Sequence, residues 1–446
     1  MPSSKDLWFI PLGGTGEIGM NMNVYGHDDQ WLLVDCGVTF NAPLEPDSDV
    51  EHDVVCADPT FLHERKDQLA GMVITHAHED HVGAVAHLWR KFECPVYTTR
   101  FTAEFLRRKL AQTGLLADVP IIEVDSGSRV DIGVFNIEWL PLTHSLPEPH
   151  ALVIRTQAGN VFHTGDWKID PRPVLGEAFD PLPFKELAQE DINAMVCDST
   201  NANRAGRSLS EGDCYPGLLE HINKASGRVV VACFGSNIAR LVTIGEIAKE
   251  TGRYVGLLGR SLINMVSTAK ATNVWPQHLS FAEVGHFPYL PPHEVLVVAT
   301  GSQGEPRTAL ARLAADNHFD MDLEAGDTVI FSSIVIPGNE ESVERLVKNL
   351  KRKKINVIMA KDSEQPIHAS GHPCADEVAD LYRWVKPAIA VPVHGEAEHM
   401  HANAAIAKAQ GVTNQLTGSN GDLFVLNGRG KVRKQAVKTG RIALSQ

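Results

Sequence analysis

Two hydrophobic rhythms divide the chain. Over about the first two hundred residues, "WLLVDCG", "GMVITHAH", "CPVYTT", "FNIEWLPLTHS", "HALVIRT" and "NVFHTGD" are short apolar runs. They read as strands, and each ends in polar residues of the kind that carry chemistry. Helical spacing is confined to Val82 to Phe92 and Thr102 to Ala111. Near Arg204 the rhythm changes. "GRVVVACFGSN", "YVGLLGRS", "HEVLVVATGSQGE" and "DTVIFSSIVIPGNE" alternate with helix-like stretches such as Ile238 to Glu250 and Glu340 to Lys351. Strand, helix and strand at that spacing predict a parallel α/β unit. "INVIMA" and "AIAVPVHGE" then return to strands, the second ending in a histidine. The middle therefore reads as an insertion: an outer domain over 1–206, an inserted one over 207–359, and completion of the outer one over 360–446.

The opening "FIPLGGTGEIGMNMNVYG" tests that pattern. Gly14, Gly16 and Gly19 spell G-x-G-x-x-G after an apolar run, and Asp35 follows, which is the outline of a dinucleotide-binding fingerprint. That fingerprint requires a helix whose N-terminus receives the pyrophosphate. Met20, Met22 and Val24 instead alternate with Asn21, Asn23 and Tyr25, and "GHDD" is turn chemistry. Strand, glycine turn, strand and turn leave no room for a crossover helix, so the glycines need another explanation.

Composition narrows the class. The 446 residues are 43% hydrophobic and 22% charged, ordinary for a globular protein of two or three domains. A net charge of −14 argues against broad, nonspecific nucleic-acid binding but not against a local groove. Seven cysteines contain no C-x-x-C pair, no signal peptide precedes the first strand, and no apolar run approaches eighteen residues. These features predict a cytoplasmic protein with no membrane partner.

The densest chemical signal is "THAHEDHVG". His76, His78, Asp80 and His81 fall within six residues after an apolar strand. Imidazoles and a carboxylate so placed suit borderline metals such as zinc. His144, Asp166 and His394 end later strands, and strand ends converge at a sheet edge. Two ions fit the count: His76, His78 and His144 for the first, and Asp80, His81 and His394 for the second. Asp166 would bridge them, and Asp35 would orient a ligating histidine. His27, His52, His63, His399 and His401 read as surface or helix residues instead.

"VDCG", "THAHEDHVG", His144 and "TGD" resemble the motifs of the metallo-β-lactamase fold. "GGTGEIGMN", "CDSTN", "ATGSQGEP", "IPGNE", "HASGH" and "VPVHGE", in that order, closely resemble the ribonuclease J family of β-CASP nucleases, from Leu7 to about Arg441. The resemblance implies an α/β protein, a metallo-β-lactamase αββα sandwich with an inserted β-CASP α/β domain. It makes the glycine segment that family's first hairpin beside the site. It implies hydrolysis of RNA phosphodiesters by metal-activated water, with two Zn²⁺ ions per chain or Mn²⁺ in their place. Among the metal-site residues Asp80 counts as catalytic. His372 would donate a proton to the leaving 3′-oxygen, with Asp198 orienting it. Ser236, His368, Ser370 and Gly371 would receive a 5′-phosphate of single-stranded RNA, giving 5′-to-3′ exonuclease action with endonuclease action beside it. Typical bacterial members continue into a C-terminal domain, whereas this sequence stops at Gln446, as a short form or a truncated one. That weakens the expectation of a homodimer.

The rival readings differ in testable ways. A single-stranded DNA exonuclease of the same fold would share the metal and phosphate contacts, and only recognition of the 2′-hydroxyl separates the two. A small-molecule metallo-hydrolase would have no use for an insertion of roughly 150 residues. A noncatalytic scaffold would be expected to have lost ligands. A serine hydrolase lacks support, since no G-x-S-x-G occurs.

Overall fold

The computed structural model describes residues 1–45, 48, 50–336 and 338–444. Pro337 of "IPGNE" and the terminal Gln446 lie outside them. Among the described residues the strands form four sheets, of eight, seven, five and three strands. The two largest face each other, and period-two alternation explains why. On Gln30–Val34, Leu32 and Val34 point between the sheets, where they meet Ile137, Trp139, Leu152, Ile154, Val196 and Val391. Trp31 and Leu33 point the other way, onto Leu88, Phe101 and Leu106 of the covering helices. Each fully buried aliphatic side chain contributes roughly 1.5–3 kcal/mol, so both faces of each sheet must be covered. The second sheet's outer face packs Phe162, Met195 and Cys197 against Val378, Leu381 and Tyr382 of the helix Ala375–Val385. The layers run helix, sheet, sheet, helix.

The opening glycines connect Trp8–Gly13 to Met22–His27, and these strands pair antiparallel, as the alternation predicts. The helix expected over Val82 to Phe92 is two, Glu79–Val82 and Val85–Phe92. A Cβ on Gly83 between them would stand 2.4 Å from the Glu79 carbonyl oxygen, so the chain turns where only glycine fits. The second expected helix runs Arg100–Thr113, capped by Gly114 at φ +71°.

The insertion forms its own sheet, in the order Tyr254–Leu258, Val295–Ala299, Val229–Ala232, Thr328–Phe331, Asn356–Met359, parallel throughout. Its helices include Ile238–Thr251 and Glu340–Arg352. The chain then returns to the sandwich, where Ile389–Val393 pairs parallel to Ile192–Asp198. All seven cysteines are buried and unpaired. Among the described residues no helix is long and apolar enough to cross a membrane.

Candidate metal centre

Parallel strands aim their C-terminal ends at one edge. Gln30–Val34 delivers Asp35, Leu69–Val73 delivers His76 to His81, Gly159–His163 delivers Asp166, Ile192–Asp198 ends on Asp198, and Ile389–Val393 delivers His394. His144 follows Phe135–Pro141. The seven metal-ligand candidates meet there in two groups that share Asp166: His76, His78 and His144, then Asp80, His81 and His394. Within each group the candidate donor atoms lie within 4.8 Å of one another.

Hydrogen bonds fix which ring nitrogen faces inward. Asp35, fully buried, accepts from the Thr75 backbone N–H (2.8 Å), the Thr75 hydroxyl (2.9 Å) and His81 Nδ1 (2.7 Å). Thr75 Oγ1 in turn lies 3.0 Å from His76 Nδ1, and His144 Nδ1 donates to the Gly371 carbonyl. His78 Nε2 meets Ser145 Oγ at 3.3 Å. These partners leave His76 Nε2 and His144 Nε2 as lone pairs, and both face His78 Nδ1. His78 Nδ1 stands 3.1 Å from His76 Nε2 and 3.0 Å from His144 Nε2. It carries at most one hydrogen and cannot serve both neighbours, whereas a cation between the three nitrogens satisfies all of them. Nitrogens bound tetrahedrally at ~2.0–2.1 Å from zinc sit about 3.3 Å apart, so the donor set fits a divalent metal.

The second group carries the opposite imbalance. Asp166 Oδ2 lies 3.2 Å from His81 Nε2, its Oδ1 lies 3.2 Å from His394 Nδ1, and Asp80 Oδ2 lies 3.3 Å from His394 Nε2. Burial, the largest influence, pushes His76 and His144 well below the ordinary histidine range and takes His78 to about 4. Burial also pulls on His81 and His394, but nearby carboxylates, Asp166 foremost, outweigh it and raise both. For Asp80 and Asp166 burial pushes upward, and the histidines beside them win and hold both well below the carboxylate range. Two anions in one site thus demand positive charge, which a divalent ion supplies in place of protons.

Beside the donors, His372 Nδ1 lies 2.8 Å from Asp198 Oδ2, leaving Nε2 facing Asp166 Oδ2 at 3.9 Å. Burial lowers His372, and Asp198 followed by Asp166 outweighs it, so its pKa is raised. Asp198 Oδ1 is held by the Thr200 N–H (2.9 Å) and hydroxyl (2.7 Å).

The four expected phosphate contacts are placed less uniformly. Ser370 Oγ accepts from Asn201 Nδ2 (2.8 Å) and the His372 N–H (3.3 Å), so it sits beside His372. Gly371 lies under the His144 ring, where a Cβ would stand 2.5 Å from Cε1. His368 packs on Phe234, and burial followed by Arg240 lowers it to about 3, leaving it neutral. Ser236 precedes Asn237, the side chain that caps the helix Ile238–Thr251. His27 corrects the reading of it as a surface or helix residue: it is buried on Met22–His27, with Nδ1 on the Asp6 carbonyl (2.8 Å). Sequence reasoning missed Thr75, Thr200 and Asn403. The first two adjoin motif residues and could have been flagged. Asn403 donates to the Asp198 carbonyl (3.0 Å) from a distant helix, with no local signal.

Two facing sheets with a histidine–aspartate cluster at one end and a parallel α/β insertion define a metallo-β-lactamase-fold hydrolase of β-CASP type. Comparison with known proteins agrees. Residues 16–185 match the metallo-beta-lactamase superfamily, 226–350 the beta-CASP domain of ribonuclease J, and 363–416 the Zn-dependent metallo-hydrolase RNA specificity domain. Ribonuclease J of Sinorhizobium meliloti is 43% identical over 430 residues, 96% of this chain and 75% of that one. Ribonuclease J of Mycolicibacterium smegmatis is 37% identical, over 90% of this chain and 71% of its own. A crystal structure of a protein of unknown function from Enterococcus faecalis V583 shares the fold at 16% identity, with a TM-score of 0.63 over 94% of this chain and 100% of that one. The chain belongs to the ribonuclease J family.

Proposed function

We propose that the chain is a metal-dependent ribonuclease that shortens single-stranded RNA from a 5′-monophosphate end, with internal cleavage as a secondary activity. The observation that carries this reading is the seven-donor cluster with the His372–Asp198 pair at its rim. The metals, zinc in preference to manganese given the imidazole-rich donors, would supply Lewis acidity and a water acidic enough to ionise near neutral pH. His76, His78 and His144 would hold one ion and Asp80, His81 and His394 the other, with Asp166 shared. Asp35 and Thr75 keep His81 and His76 turned inward. His372, with Nδ1 fixed on Asp198, presents Nε2 to the site and carries the proton that the leaving 3′-oxygen needs.

Ser370 sits close enough to His372 to place the terminal linkage beside that proton. Ser236 and His368 extend the donors along the inserted domain, and Gly371 keeps the wall thin beside His144. We assign 1–206 and 360–446 to the catalytic sandwich and 207–359 to the inserted domain. The test is digestion of matched RNA and single-stranded DNA carrying a 5′-monophosphate, 5′-triphosphate or 5′-hydroxyl. Fastest release of mononucleotides from 5′-monophosphorylated RNA is expected. Shortening from the 3′ end, equal rates with every 5′ group, or preference for DNA would overturn the reading.

A further inference from the structure

The glycine segment that opens the chain has an acidic residue in its middle, and nothing above gives Glu17 a role. Its neighbours make it a clamp. Glu17 Oε1 accepts from the Gly14 N–H (3.2 Å) and from Asn420 Nδ2 (2.5 Å), while Oε2 accepts from Arg441 Nη2 (2.5 Å). Asn420 Oδ1 also accepts from the Thr15 N–H (3.0 Å). Two side chains from the last thirty or so residues therefore grip a loop near residue 15. That loop needs gripping: Gly14, Gly16 and Gly19 all have positive φ, and glycine runs are conformationally loose.

The other side of the loop meets the metal centre. The Gly14 carbonyl accepts a 2.7 Å hydrogen bond from the backbone N–H of His394. His394 sits at φ +51°, in the left-handed region where a non-glycine residue is strained and must be held. Gly14, at φ +84°, admits no side chain, because a Cβ would stand 2.4 Å from Asn21 Oδ1. A continuous path of hydrogen bonds thus runs from Arg441 through Glu17 and Gly14 to His394.

We propose that Glu17 is a positioning residue for His394, acting through the backbone of Gly14 and held in place by Arg441 and Asn420. The proposal rests on His394 being a metal ligand. Loss of the clamp loosens one of the two ions and spares the other, because His76, His78 and His144 take their orientation from Thr75, Ser145 and Gly371 instead.

The experiment follows release of zinc from the purified, metal-loaded protein to a colorimetric chelator. Wild type should give up two equivalents. In Glu17→Ala one equivalent should leave more readily by roughly ten- to hundred-fold, the usual cost of removing support behind a ligand, and the other should be unchanged. His394→Ala should release the same equivalent, and Glu17→Ala combined with His394→Ala should add little to it. Glu17→Gln, which keeps one acceptor for the Gly14 N–H, should fall between wild type and Glu17→Ala. Equal loosening of both ions, as a merely structural role would give, or no loosening in a folded Glu17→Ala protein, would overturn the proposal. If Glu17→Ala does not fold, Arg441→Met carries the same prediction and the same refutation. A wild type without two equivalents would instead overturn the metal reading itself.

Discussion

Two buried polar clusters lie close together in this protein, and they are satisfied in opposite ways. At the strand ends, His76, His78 and His144 turn ring nitrogens toward one another, while Asp80 and Asp166 gather anionic charge opposite them. At the junction with the insertion, Arg240 is fully buried, yet its guanidinium meets the Glu211 carboxylate at 2.6 Å and the carbonyls of Ser332 (3.0 Å) and Ile367 (3.1 Å). Glu211 leads on, through its N–H, to Asp170, and Asp170 to Lys168. Every charge there meets an opposite one, so that cluster joins the inserted sheet to the sandwich. The difference shows how to tell a site from a brace. Burial and charge are common to both, and what marks the metal centre is the convergence of three imidazoles on one point beside two carboxylates in the same site.

The comparison can be broken at its active end first. His372→Ala should leave metal content intact and slow single-turnover cleavage by ~10²–10⁴-fold, because the lost group serves the leaving oxygen rather than the ions. Unchanged turnover would remove His372 from that role. At the brace, Arg240→Met leaves Glu211 buried without its counter-charge, which typically costs about 3–5 kcal/mol. Denaturant unfolding should show that loss, while the folded fraction keeps its metal. Loss of metal without loss of stability would mean that the two clusters are not separable.

How much of this was legible beforehand follows from the same contrast. The donors of "THAHEDHVG" are crowded into one loop, and His144, Asp166 and His394 each end an apolar strand, so local spacing exposed them. The strands were readable as apolar runs such as "WLLVDCG", which is buried on both faces, and their assembly into a sandwich came from the resemblance carried by the motifs in their order. The brace was not readable. Arg240 is one cation inside an apolar helix, and Glu211, Ser332 and Ile367 come from distant segments with nothing local to connect them. The break at Gly83 within the expected helix Val82 to Phe92 was not readable for a related reason: it depends on a contact with the Glu79 carbonyl that spacing does not reveal.

Smaller effects sharpen the boundary between the clusters. Ser370→Ala removes a hydroxyl beside His372, and losing a hydrogen bond to a charged group costs roughly 1.5–3 kcal/mol. Cleavage that depends on the 5′-phosphate should weaken about ten-fold or more, with internal cleavage much less affected, as end-labelled RNA would show. Asp170, whose loss also leaves buried Lys168 without its counter-charge, gives a test read by its pH dependence. Burial raises its pKa, but the Glu211 N–H, Lys168, Ser210 and the Arg172 N–H together hold it below 3.8. A depressed carboxylate contributes stability fully above its unfolded pKa and loses it as pH falls through the folded one. Asp170→Asn should therefore flatten the acid limb of stability as pH falls below the ordinary carboxylate range and leave the neutral limb parallel to wild type.

Cleavage as proposed requires the strand-end cluster to hold metal, so elemental analysis of protein purified without added metal is the most direct test. Two equivalents of divalent metal per chain, with cleavage abolished by chelator and restored by zinc or manganese, is the predicted result. A value near zero, with full activity in the presence of chelator, would contradict it.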